Sequence, residues 1–259
     1  MLDLISITSL PVFLLIFVRV LAFFVTMPLF SYRTVPLPFK IGFSFFLAMI
    51  MFYTVDASQL VVDEMYIFLL VKEVLVGVLI GLISFIIVSA IQVAGGFIDF
   101  QMGFAIANVV DPQTGAQSPL TGQYLYMIAL LFLLAVDGHH LIIDGIFNSY
   151  RFIPLETFIP FQNNSIAEFV ITAFNSMFII AFQIAIPIVG CLFLVDVALG
   201  IIARTVPQMN VFVVGLPLKI LVSFLAILVF LALYVTLARN LFTAMFETMR
   251  GLMQLFGGA

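Results

Sequence analysis

Tryptophan is absent from this chain, cysteine occurs once, and charge is scarce. Nine Lys/Arg and thirteen Asp/Glu make up 8% of 259 residues, against 64% hydrophobic ones. A soluble domain carries roughly 25% charged residues, so this chain lacks the groups to cover an exterior in water. Its bulk must face lipid or other apolar protein. The net charge of −4 and the scatter of single cations exclude the clustered basic face that nucleic acid requires. Lone Cys191, in "IVGCLFLV", excludes an internal disulfide or a cysteine metal site and reads as a small packing residue. Missing Trp removes half of the aromatic belt that anchors spans at the headgroups. That points to protein contact over much of the surface, although biased residue usage is the simpler source.

A cleavable leader is not expected. Asp3 stands where a positive n-region would be, the apolar run continues past Arg19, and no A-x-A site follows. What remains is an all-α, polytopic arrangement of about six long apolar segments, near 4–27, 41–55, 66–98, 124–150, 169–203 and 219–246. Pro36, Pro38, Arg33 and Lys40 close the first connector. As one helix, segment 66–98 would run about 50 Å, beyond the ~30 Å hydrocarbon core. It must tilt and project, or break near Gly95-Gly96. Arg33 with Lys40, and Arg204 with Lys219, mark the first and fifth connectors. The second is acidic, with Asp56, Asp63 and Glu64. The positive-inside rule then puts both termini outside, with Arg239 and Arg250 pulling the other way. "LPFKIGFSF" (Leu37 to Phe45) also echoes "LPLKILVSF" (Leu216 to Phe224). Pro at a helix entry and a snorkelling Lys explain the echo by convergence; a duplicated hairpin is the alternative.

Few residues offer chemistry. "HHLIIDG" (His139 to Gly145) matches an acyl-transfer motif of long soluble enzymes by chance. Asp137, His139, His140 and Asp144 could in principle hold a metal, but His140 and Asp144 are also an ordinary i, i+4 helix pair. No Ser or Cys stands beside a base. No cofactor is expected. Ionisable Arg19, Asp99, Asp196 and Arg204 lie in or beside apolar segments, where such groups face a cavity or a partner. As a relay they would make a secondary transporter; as buried pairs they would join helices or subunits. Lys72-Glu73 reads either as such a pair or as a membrane boundary. Gly77 and Gly81 form a small-x-x-x-small spacing for close helix packing. One stretch, 104–123, is polar and broken by Pro and Gly, unlike everything around it.

Three stretches carry a resemblance. "GGFIDFQMGFAIANVVDPQTGAQSPLTGQ" (Gly95 to Gln123), "DGHHLII" (Asp137 to Ile143) and "DVALGIIARTVPQMNVFVVGLPLKI" (Asp196 to Ile220) together resemble the FliR family. These are flagellar type III export-gate proteins, related to the T subunit of virulence injectisomes. The likeness spans essentially the whole chain as one domain, 1–259, and its most specific part is R-T-x-P-Q-x-N-V-F. It implies a non-enzymatic subunit that joins FliP and FliQ in a helical, cone-like gate of the bacterial cell membrane, within the flagellar basal body. FlhB and FlhA lie at the cytoplasmic side, and unfolded flagellar proteins pass through the centre. Helices that read as membrane spans would then be partly lifted from the bilayer. The resemblance also makes Val109, Val110, Asp111, Pro112 and Gly115 the pore plug or gate loop. Irregular backbone at membrane depth is tolerated only in protein or beside an aqueous cavity. Packing and buried polar contacts fall to Gly77, Gly81, Asp196, Arg204, Pro207, Gln208 and Asn210.

Overall fold

The computed structural model describes residues 10–31, 35–55, 63, 65–104, 119–157, 165–208 and 210–257. These residues are helical, with no strand among them: α1 (Leu10–Thr26), α2 (Leu37–Phe52), α3 (Met65–Val88), α4 (Ala90–Met102), α5 (Leu120–Ala135), α6 (Gly138–Phe152), α7 (Ser165–Thr205) and α8 (Val211–Gly257). The chain is an all-α, polytopic membrane protein. The apolar segments count six if α3–α4 and α5–α6 are each taken together. Among the described residues, fewer are long enough to cross a bilayer. Met65–Met102, α7 and α8 qualify, a fourth arises only if the bent pair α5–α6 is one span, and α1 and α2 are shorter. At 1.5 Å per residue, α7 and α8 reach about 60 and 70 Å, twice the hydrocarbon thickness.

Three boundaries differ from the sequence expectation. The long third segment does not break at Gly95-Gly96, which lie inside α4; Met65–Met102 runs as one 38-residue span with a single turn residue, Ser89, in right-handed helical backbone. Segment 124–150 is two helices bent by 76°. The bend falls at Asp137, in the left-handed region at φ 57°, which Asp tolerates better than most residues. Pro217 does not open a helix as Pro38 does. It lies inside α8, and Pro187 lies inside α7. The connector between α7 and α8 therefore shrinks to 206–210, and Lys219 belongs to a helix.

The chain groups into two compact units. One comprises Met1–Ile87, Asp137–Phe174 and Thr243–Ala259, the other Val88–Val136 and Asn175–Phe242. In the first, phenylalanines join α1 to α2. Phe13 meets Phe45 edge-on at 5.3 Å, Phe24 meets Phe43 at 5.1 Å, and Phe30 stacks on Phe43 at 5.6 Å. Each such pair adds about 0.5–1.5 kcal/mol beyond its area. Gly77 and Gly81 bring α3 against α1. A Cβ on Gly77 would strike the Arg19 carbonyl and stand 2.9 Å from Ala22 Cβ, and one on Gly81 would strike the Thr26 hydroxyl.

Arg19 and Glu73 are wholly buried and Lys72 nearly so. The Arg19 guanidinium donates through Nε and Nη2 to both Glu73 oxygens, the latter at 2.9 Å. Nη1 donates to Ser149 Oγ at 3.2 Å and Nη2 also to the Ile153 carbonyl at 2.9 Å. The guanidinium carbon lies 3.9 Å from the centre of the Tyr150 ring. Lys72 Nζ is 2.7 Å from Glu73 and donates to the carbonyls of Pro154 and Leu155 at 2.9 and 3.0 Å. Lys72-Glu73 thus belongs to a core rather than to a membrane edge. Glu73 serves two cations, Arg19 of α1 and its own neighbour Lys72, and both cations also bond carbonyls of 153–155.

Candidate functional site

The polar segment leaves α4 and returns through α5, and its flanks in the second unit are built from a few specific contacts. α4 ends on Gly103 at φ 89°. Phe104 N–H donates to the Asp99 carbonyl at 2.9 Å and Gly103 N–H to the Phe100 carbonyl at 3.2 Å. This is a Schellman motif, and its left-handed position is the one that glycine occupies without strain. On the return side, Pro119 precedes α5 and offers no side-chain cap. Asp99 supplies one from across the pair. Its buried carboxylate accepts the Thr121 N–H at 3.3 Å and the Thr121 hydroxyl. An anion at a helix N-terminus satisfies an orphan donor and the positive end of the helix dipole.

The two helices can share that carboxylate because their backbones nearly touch. A Cβ on Gly95 would overlap the Gly122 backbone, and one on Gly122 would sit 2.8 Å from Pro119 and 3.1 Å from the Gln92 carbonyl. Beside this crossing, Gln101 Nε2 donates to Asp196 Oδ2 at 2.8 Å, and Lys219 forms an ion pair with Asp196 Oδ1. Asp196 and Lys219 line a cleft of about 450 Å³ with Met102, Gly103, Gly200 and Leu216. A half-exposed ion pair beside glycines makes a polar notch in an apolar wall. It presents a carboxylate with an ammonium and an amide within hydrogen-bonding distance of it.

Of the residues the sequence nominated, Val109, Val110, Asp111, Pro112 and Gly115 lie outside the described residues. Asp196 meets Lys219 and Gln101, whereas Arg204 is exposed at the end of α7. Pro207 and Gln208 form an exposed turn. Asn210 caps α8, its Oδ1 accepting the N–H groups of Phe212 at 3.1 Å and Val213 at 3.4 Å, as an Asn N-cap does. Gly77 and Gly81 belong to the other unit. Thr121, Gln101, Lys219 and Gly122 went unnominated. Lys219 had read as a snorkelling cation, and only its i-distant Asp196 reveals its partner. In the first unit, Asp144 accepts from Asn148 at 2.9 Å, so the expected His140–Asp144 pair gives way to Asp144–Asn148. Asp137, His139 and His140 hold potential ligand atoms within 4.8 Å of one another, two of the three residues being exposed.

The chain matches the family described as "Bacterial export proteins, family 1" over residues 10–245. It is 56% identical over 249 residues to the flagellar biosynthetic protein FliR of Bacillus subtilis (strain 168), covering 95% of this chain and 96% of that protein. The flagellar biosynthetic protein FliR of Escherichia coli (strain K12) is 27% identical over 230 residues, 88% of this chain and 87% of that protein. The Yop proteins translocation protein T of Yersinia pestis is 29% identical over 170 residues, 65% of each chain.

Proposed function

We propose, from the premise that the chain belongs to the FliR family of bacterial export proteins, that it works as a non-enzymatic subunit of the flagellar type III export gate. The carrying observation is the match along residues 10–245 to export proteins. The helix surfaces support it. Only 28% of the most apolar window of α7 and 22% of that of α8 is buried within the chain, against 61% for Met65–Met102. A helix that long and that bare needs lipid along part of its length and other apolar subunits along the rest. On this reading FliP and FliQ cover those faces, FlhB and FlhA join at the cytoplasmic side, and the assembly sits in the cell membrane within the flagellar basal body.

In a flagellated strain deleted for its own FliR-type gene, this chain should restore secretion of filament protein into the medium, and a tagged copy should co-purify with FliP and FliQ. Recovery of the chain alone, active as an ion carrier in liposomes, would instead favour the secondary transporter.

On this reading the stretch 104–123 supplies the plug, with Val109, Val110, Asp111, Pro112 and Gly115 as its candidate residues. Flanks as closely held as Asp99–Thr121 and Gly95–Gly122 set a fixed base for it. Deleting 111–118 should leave the complex assembled but leaky to ions, measured as dye-reported permeability of cells or proteoliposomes. Wild-type tightness in an intact deletion complex refutes the plug role.

A further inference from the structure

Three cations of this chain are committed to carboxylates: Arg19 and Lys72 to Glu73, Lys219 to Asp196. Arg151 and Arg250 are not. Neither has a hydrogen-bond or ion-pair partner among the described residues, yet both line one cleft of about 440 Å³ in the first unit. Phe152, Phe246, Met249 and Met253 give that cleft an apolar wall, and Asp144 and Asn148 complete its rim. Two unpaired arginines against one aspartate leave the rim positive.

The position of the cleft bears on what would fill it. A Cβ on Gly145 would lie 3.2 Å from Met249 Cε, and one on Gly257 would touch the Phe152 carbonyl. α6 and the last turns of α8 therefore run side by side in the same direction and finish together. Arg151 is in the last turn of α6, and Arg250 lies about two turns before the end of α8. α8 is longer than a bilayer is thick, but its apolar run gives way to charge at Arg239, Glu247 and Arg250, and such charge on a membrane helix belongs at the headgroup level or beyond. Arginines there meet phosphate in fork geometry, and basic pockets between membrane helices take anionic headgroups. The Asn148 amide nitrogen donates to Asp144 at 2.9 Å, which leaves Asn148 Oδ1 and the remaining Asp144 oxygen to accept hydroxyl protons.

We propose that this cleft binds an anionic phospholipid with a hydroxyl-bearing headgroup, of the phosphatidylglycerol class. Its phosphate lies between Arg151 and Arg250, its headgroup hydroxyls meet Asn148 and Asp144, and one acyl chain follows Phe152, Phe246, Met249 and Met253. The proposal needs only the lipid setting that the apolar helices demand, so it stands or falls independently of the export reading.

The test uses the protein extracted in detergent with whatever co-purifies, stripped of lipid and titrated separately with phosphatidylglycerol, with phosphatidylcholine of the same tails, and with inorganic phosphate. Bound lipid is counted by native mass spectrometry and the unfolding midpoint is followed in parallel. Phosphatidylglycerol should bind at least tenfold more tightly than phosphatidylcholine and raise the midpoint. R151Q/R250Q should bring the two lipids level, while R204Q, which removes an exposed arginine elsewhere, should keep the preference. Equal binding of both lipids by the unaltered chain overturns the proposal, as does loss of the preference in R204Q. A midpoint shift by inorganic phosphate as large as that by the lipid marks a free-anion site and also overturns it. Should R151Q/R250Q fail to assemble, the single variants R151Q and R250Q decide: each should lessen the preference, and an undiminished preference in both overturns the site.

Discussion

Replacing Glu73 with Gln should prevent this protein from accumulating in the membrane. The change is nearly isosteric and removes only a charge, but that charge serves two cations at once. Arg19 spends two N–H donors on Glu73, and Lys72 Nζ lies 2.7 Å from the same carboxylate. All three side chains are buried. A buried ion pair adds little net stability over well-packed apolar residues, but stripping one partner costs about 3–5 kcal/mol because a buried charge is left uncompensated. Here two cations are left, so the upper end applies. That is a large part of the 5–15 kcal/mol that holds a folded chain together. Steady-state level by immunoblot and unfolding midpoint in detergent measure it. The sharper outcome is rescue. Changing the whole cluster to apolar residues of similar size, R19M/K72M/E73L, should restore much of the level that E73Q loses. Normal accumulation of E73Q would show that the cluster does not hold the first unit together.

Gly95→Val should be as damaging, for a steric reason. Helix propensity favours leaving glycine, by up to about 1 kcal/mol. Packing opposes it, because even one added carbon overlaps the Gly122 backbone, and backbone cannot rotate aside as a side chain does. α4 and α5 would have to separate. That separation breaks the Asp99–Thr121 bonds and uncaps α5, so the overpacking penalty of about 1–3 kcal/mol adds to a lost cap of about 1 kcal/mol. Protease sensitivity between α4 and α5, and loss of filament-protein secretion, should both follow. Gly96→Ala is the control: its added carbon would meet only Pro119 Cγ, at 3.9 Å. It should be tolerated. If Gly95→Val behaves like Gly96→Ala, the two helices do not depend on that crossing.

Some of this was readable in advance. The 64% hydrophobic composition with 8% charge announces apolar helices whatever their order, and the R-T-x-P-Q-x-N-V-F string identifies the family that the comparisons support. Helix ends were less readable, since they depend on partners. Gly95-Gly96 reads locally as a breaker, yet Gly95 stays helical because Gly122 packs on it. Asp137 carries no strong stop signal, and the chain bends there by 76°. Pro217 reads as a helix entry but lies within a helix of 47 residues. Pairings were the least readable. Asp196 sits eight residues from Arg204, a helical spacing, and instead takes Lys219 and Gln101. Arg19 gave no local sign that Glu73 and the carbonyl of Ile153 would complete it, because separations of 54 and 134 residues leave no periodicity to detect.

Those separations also set a schedule. Ribosomes add roughly 5–20 residues per second, so Arg19 emerges about 3–11 seconds before Glu73 exists and about 7–27 seconds before Ile153 does. Through that interval the nascent chain carries an unneutralised guanidinium on its first apolar helix. The insertion machinery must keep that helix at a wet boundary until α3 arrives. Slowing translation between codons 19 and 73 lengthens the exposure, and the tempo of synthesis becomes part of how this protein reaches its fold.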